Sequence, residues 1–188
     1  MANNTSHLEL SIELDNEDEE KTIKHLLSTL PLEALLLQTL SQAGIERPVV
    51  VALLITTDTT IQSLNKRYRN QDKSTDVLSF PLLEKPIVHA PMDQLWMKSE
   101  LLEGVEFQTQ QAFITPPEIT THLGDIVISW PMVQRQSSEA GHDPAYELLF
   151  LLSHGILHLV GYDDQTEAGY QAMVRLQHVV MEATGLKM

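Results

Sequence analysis

The chain has 188 residues, a length suited to one domain with a substantial buried core. Its formal net charge of −14 excludes broad affinity for nucleic acid, because an acidic surface repels phosphates. It contains no cysteine, which excludes disulfides and thiolate metal sites and is compatible with a reducing cytoplasm. Residues 1–15 carry neither a basic nor an apolar leader segment. The longest apolar runs, residues 49–55 and 148–152, are too short to span a bilayer. These features predict a soluble protein of the cytoplasm.

Residues 8–14 alternate apolar and polar, the period of a half-buried strand. Asp15, Glu17, Asp18, Glu19 and Glu20 then form an acidic run that reads as solvated, so residues 1–22 are expected to form a partly acidic N-terminal segment. Residues 23–30 read as a helix, and Pro31 opens a second that runs to Leu40 and stops at Gly44. Residues 49–56 are a β-branched apolar strand. Asp58 or Thr59 caps a helix with Ile61, Leu64 and Tyr68 on one face. Lys66, Arg67, Arg69 and Lys73 form a local cationic patch, and Lys66, Arg67 and Lys73 read as a solvated face. Residues 77–80 are a short strand closed by Pro81.

Residues 82–123 have several prolines and no period, and they hold Trp96 and Phe107. They form either an insertion packed on the body or a flap. A strand follows at 126–129, with Asp125 ending the turn before it. Helical patterns cover 131–140, 144–159 and 166–184. Four strands and about five helices in this order predict a single α+β domain over residues 1–188.

The stretch HGILHLVGYDD, residues 154–164, carries the chemistry. Residues four apart lie on one helix face, so His154 and His158 can aim both imidazoles at one point. Gly161 offers an exit from the helix, and Asp163 or Asp164 can fold back as a third ligand. Two imidazoles and a carboxylate, with a position left open, describe a catalytic zinc site better than a structural one. In H-E-x-x-H metalloproteases the residue after the first histidine is the glutamate general base; here it is Gly155. Glu147, two turns before His154, is a candidate to orient an imidazole, against the alternative of a solvated residue near a helix N-terminus.

Residues 64–81, LNKRYRNQDKSTDVLSFP, resemble the first signature of the YbeY family of endoribonucleases, and residues 154–164 resemble its H-x3-H-x5-H metal motif. Between them, residues 124–129 (GDIVIS) resemble the strand before the family's helical half. The resemblance runs from about residue 49 to the C-terminus. It implies a mixed four-stranded sheet packed with helices, and a zinc-dependent, single-strand-specific endoribonuclease. Such an enzyme acts in rRNA 3′-end maturation and ribosome quality control, with single-stranded rRNA and small-subunit components as partners. His154 and His158 match the first two metal ligands, and Arg69 matches the functional arginine.

The third family ligand is a histidine, and Asp164 stands at its position, with Asp163 as rival. A carboxylate binds zinc at nearly the same distance as an imidazole. It also offsets one charge, so bound water is less acidified, and the harder site tolerates Mn2+ or similar ions. Arg69 suits a phosphate through its planar fork of donors, against the alternative of an ion pair with Asp72. The competing function is a ribosome assembly factor with a structural metal and weak or no nuclease activity. His7, His25, His89, His122, His142 and His178 have no motif context.

Overall fold

The computed structural model of the chain describes residues 5–97 and 120–185. Its elements are β1 (His7–Ile12), α1 (Glu17–Thr29), α2 (Leu32–Gln42), β2 (Val49–Thr56), α3 (Asp58–Arg69), β3 (Val77–Pro81), β4 (Thr121–Ser129), α4 (Trp130–Ala140), α5 (Pro144–Val160) and α6 (Glu167–Thr184). A single 3-10 turn, Met92–Gln94, lies between β3 and β4. The sheet order is β1-β2-β4-β3, with β1, β2 and β4 parallel and β3 antiparallel to β4. The expected α+β class and four-stranded mixed sheet are therefore found, with six α-helices among the described residues where the sequence indicates about five.

Several boundaries move for physical reasons. β4 starts at Thr121, ahead of the expected 126–129, because β2 pairs along its whole length, from Val49 opposite Thr121 to Thr56 opposite Ser129. Asp125 consequently sits inside this strand, opposite Ala52 and Phe80, and not in a turn. The acidic run, largely exposed as expected, opens a helix. Asn16 caps α1 and Glu17, Asp18, Glu19 and Glu20 fill its first turn, where negative charge complements the helix dipole. The cap of α3 is Thr57, whose hydroxyl accepts from the Thr60 N–H at 3.3 Å. Asp58 instead accepts from the Ser129 hydroxyl at 2.6 Å and from Arg135 at 2.7 Å.

The main core lies between one face of the sheet and α2, α5 and α6. α5 is buried along almost its whole length, capped by the Asp143 carboxylate with Pro144 at its first position. It approaches the sheet closely at Gly155, where a Cβ would meet the Ile126 side chain at 2.9 Å. A smaller cluster, Ile61, Leu78 and Val127, lies beneath α3 on the other face.

The described part of the long stretch, residues 82–97, packs on the end of α5, while Phe107 lies outside the described residues. The carbonyls at a helix C-terminus have no partner within the helix. Here Ile87 N–H donates to the Val160 carbonyl and Trp96 N–H to the Gly161 carbonyl, each at 3.0 Å. Leu95 forms an isolated bridge with Tyr162, and Asp163 N–H donates to the Gln94 carbonyl at 3.0 Å. Gly161 is required at this crossing: its φ is +135°, and a Cβ would fall 2.5 Å from Pro86 Cβ.

Candidate metal centre

α5 and the turn behind it bring His154, His158 and Asp164 together. The two imidazole Nε2 atoms are 3.0 Å apart. Asp164 Oδ2 lies 3.6 Å from His154 Nε2, and Oδ1 lies 3.8 Å from His158 Nε2. Ligands bound tetrahedrally to zinc at about 2.0–2.1 Å stand about 3.3 Å from one another, so these spacings bracket what a bound ion needs. The tautomer also fits. His158 Nδ1 lies 3.0 Å from the Tyr162 carbonyl, which can only accept, so Nδ1 carries the proton and Nε2 presents its lone pair. Burial, reinforced by the neighbouring His154, pushes the His158 imidazole down to about 4, against the opposing pull of Asp164, the Tyr162 carbonyl and Asp163. A neutral His158 at neutral pH is the ligand form. The three side chains therefore make a group that could hold a metal ion.

The turn carrying Asp164 is held from three sides. Gln94 anchors the backbone of Asp163, Thr166 caps α6 through Gly169 N–H, and the Thr166 hydroxyl bonds to the Asp93 carbonyl. Gly169 lets the first turn of α6 approach this turn: a Cβ there would fall 1.8 Å from the Asp163 carbonyl oxygen. Asp163 itself accepts from Gln165 N–H at 3.2 Å and is not one of the three converging donors.

Arg69 shares the cleft with the three donors, in a space of about 660 Å³. It is the last residue of α3, which ends because Asn70 turns left-handed at φ 55°. Its guanidinium donates to the Ser79 carbonyl at 3.4 Å. Asp72, the alternative partner, is 2.6 Å from Lys66 and accepts from Gln62 at 3.1 Å; the Lys66 contact leads in holding its carboxyl below the usual range. Among the described residues Arg69 has no carboxylate partner, and it is part of the cleft wall.

Glu147 lies elsewhere. It is buried, not solvated, and its carboxylate stands 3.1 Å from His142 Nε2 rather than beside His154. Burial raises its pKa first, with the Asp76 carboxylate reinforcing and His142 opposing. Two contributors carried no sequence signal. The Tyr162 carbonyl is a backbone atom, and Trp96 sits in an aperiodic stretch, yet its indole N–H donates to the His158 carbonyl at 2.8 Å.

A protein of Dehalococcoides mccartyi named Endoribonuclease YbeY is 34% identical over 94% of this chain and 93% of its own. One of the same name from Roseiflexus is 37% identical over 79% and 78%. Another from Desulforamulus reducens is 34% identical over 94% and 99%. A solution structure from Thermotoga maritima, at 24% identity, superposes with a TM-score of 0.50 over 94% of this chain and 89% of that one, a likeness of fold. The family model described as Endoribonuclease YbeY matches residues 13–185, and the chain belongs to that family.

Proposed function

We propose that the protein is a metal-dependent, single-strand-specific endoribonuclease that acts in rRNA 3′-end maturation and ribosome quality control in the cytoplasm, with ribosomal small-subunit components as partners. The observation that carries this reading is the convergence of His154, His158 and Asp164 in the same cleft as Arg69. Zinc is the ion proposed, held by those three side chains, with Mn2+ as the alternative that a carboxylate ligand tolerates. When bound, such an ion supplies Lewis-acid polarisation of a phosphoryl oxygen and acidifies water for attack.

The chain's own residues supply the rest. Arg69 grips a non-bridging phosphate oxygen and neutralises charge that builds there, because it lines the cleft and has no competing carboxylate among the described residues. The Tyr162 carbonyl holds His158 in its ligand tautomer. Asp164 adds negative charge close to the reacting phosphate, which makes the cation at Arg69 more important than it would be beside a third histidine. Gly155 carries no base and faces the sheet, consistent with a site that does not use the metalloprotease arrangement.

The test is cleavage of a single-stranded RNA by the purified protein, with and without chelator, beside His154→Ala. Cleavage abolished by both establishes a metal nuclease. Wild-type protein that binds zinc and leaves RNA intact returns the assembly-factor reading. Asp164→Ala should lose metal; unchanged metal content would remove Asp164 as a ligand.

A further inference from the structure

The cleft has a weakness as a binding site for RNA. Among the described residues that line it, Arg69 is the one Lys or Arg, and Asp76, Asp163 and Asp164 are all acidic. The whole chain carries −14. Each phosphate contact on a single strand contributes a salt slope of only about −0.7, so one arginine gives little hold on the backbone. Affinity has to come from something other than charge.

The wall formed by Trp96 and Met97 offers that source. An indole has one polar atom, its N–H, and that of Trp96 is turned inward onto the His158 carbonyl at 2.8 Å. What Trp96 presents to the cleft is therefore hydrocarbon ring surface. That bond holds the ring at one end, and the backbone it hangs from is held too: the Trp96 main-chain N–H is bonded to the Gly161 carbonyl at 3.0 Å, and Leu95 before it bridges to Tyr162. Met97 beside it is 75% exposed. A rigid aromatic surface next to a phosphate-binding arginine is the combination that single-strand binders use to stack a base.

Resting on the endoribonuclease reading above, we propose that Trp96 forms a nucleobase subsite, stacking one unpaired base of the substrate next to the phosphate held by Arg69. A base inside a duplex is already stacked on both faces and cannot enter. Trp96 then contributes to the choice of single strands as well as to affinity.

The experiment pairs changes on both sides of the contact. Binding of a short labelled single-stranded RNA is followed by anisotropy in chelator, and cleavage is followed separately without it. The base at each position is replaced in turn by an abasic site. Base stacking on an aromatic side chain corresponds to about five-fold to 150-fold in affinity. One abasic position should weaken wild-type binding by such a factor. Trp96→Leu should weaken binding of the intact RNA similarly, and the abasic change should then cost nothing more. Trp96→Phe, which keeps a ring and loses the N–H, should retain most of the affinity. RNA should also quench tryptophan emission in the wild type, since the other tryptophan, Trp130, is only 5% exposed.

Independent, additive losses would overturn the subsite. So would Trp96→Phe binding as poorly as Trp96→Leu, which would reduce Trp96 to a support for the His158 carbonyl. Wild-type protein that neither binds nor cleaves RNA would bring down the nuclease reading and the subsite together. RNA cleavage without coupling brings down the subsite alone.

Discussion

Gly169→Ala adds one methyl group outside the ligand set and should weaken metal binding by displacing Asp164. The methyl would sit 1.8 Å from the Asp163 carbonyl oxygen and 3.1 Å from the Thr166 hydroxyl. Carbon and carbonyl oxygen keep about 3.3 Å apart even in close contacts, so this carbonyl must retreat by about 1.5 Å. The next residue is Asp164, and a metal ligand tolerates displacement of only about 0.2 Å. The turn has little freedom to absorb the shift, because Asp163 N–H is held by the Gln94 carbonyl and the Thr166 hydroxyl by Asp93. Loss of supporting structure around a ligand weakens metal affinity by about tenfold to a hundredfold, and that is the expected loss. Competition for zinc against a chromophoric chelator measures it. The thermal midpoint of metal-free protein, taken alongside, separates a local shift from unfolding; the helix gains up to about 1 kcal/mol of propensity from alanine, which works against global loss. Zinc affinity equal to wild type would refute the argument that α6 sets the position of Asp164.

Three further outcomes follow from the same geometry. Arg69→Lys keeps the charge and loses the planar fork at an exposed position, so kcat/KM for RNA should fall by about tenfold or more while the urea midpoint stays put; equal activity removes the phosphate role. Gly155→Ala forces a methyl to 2.9 Å from the fully buried Ile126, and overpacking of about 1–3 kcal/mol should outweigh the helical gain of about 1 kcal/mol, a net loss readable by urea unfolding. Glu147 has its pKa raised above the ordinary 4.5, so its contribution to stability is full below that value and is lost as pH rises through the folded pKa. Glu147→Gln should therefore gain stability relative to wild type as pH climbs from about 4 towards neutrality, and a difference profile flat in pH would contradict the burial argument.

The parts of this protein legible in its sequence are those whose signals are local. His154 and His158 share a face because a helix has a fixed period, and the strand at 49–56 is apolar on both faces because it is central in the sheet. The start of β4 was not legible, since only its pairing with Val49 and Val50 assigns residues 121 and 122 to a strand. Glu147 misleads for a similar reason: its position one turn into a helix reads as solvated, and only the approach of His142 and Asp76 shows it buried. The contribution of Trp96 to the site depends on residues 82–97 crossing the end of α5, a long-range contact without period or motif.

The burial of α5 explains why the site lies where it does. From Ser153 to Val160 every residue of this helix is buried except His154 and His158, which are half-buried. An apolar helix enclosed by the sheet, α2, α4 and α6 cannot turn or shift to accommodate a ligand, so the two imidazoles are presented from a rigid base. Gly155 belongs to the same packing. It faces Ile126, and a glutamate in its place would have to enter the interface between helix and sheet rather than the cleft. The absence of a protease base is thus tied to how this helix packs, and any group that handles protons must come from across the cleft or from the Asp163–Asp164 turn. Asp164, the third candidate donor, stands apart from that helix. It stands on a turn held by residues 93–96 and by α6, so a carboxylate at this position makes no demand on the packing of the helix that supplies the two histidines.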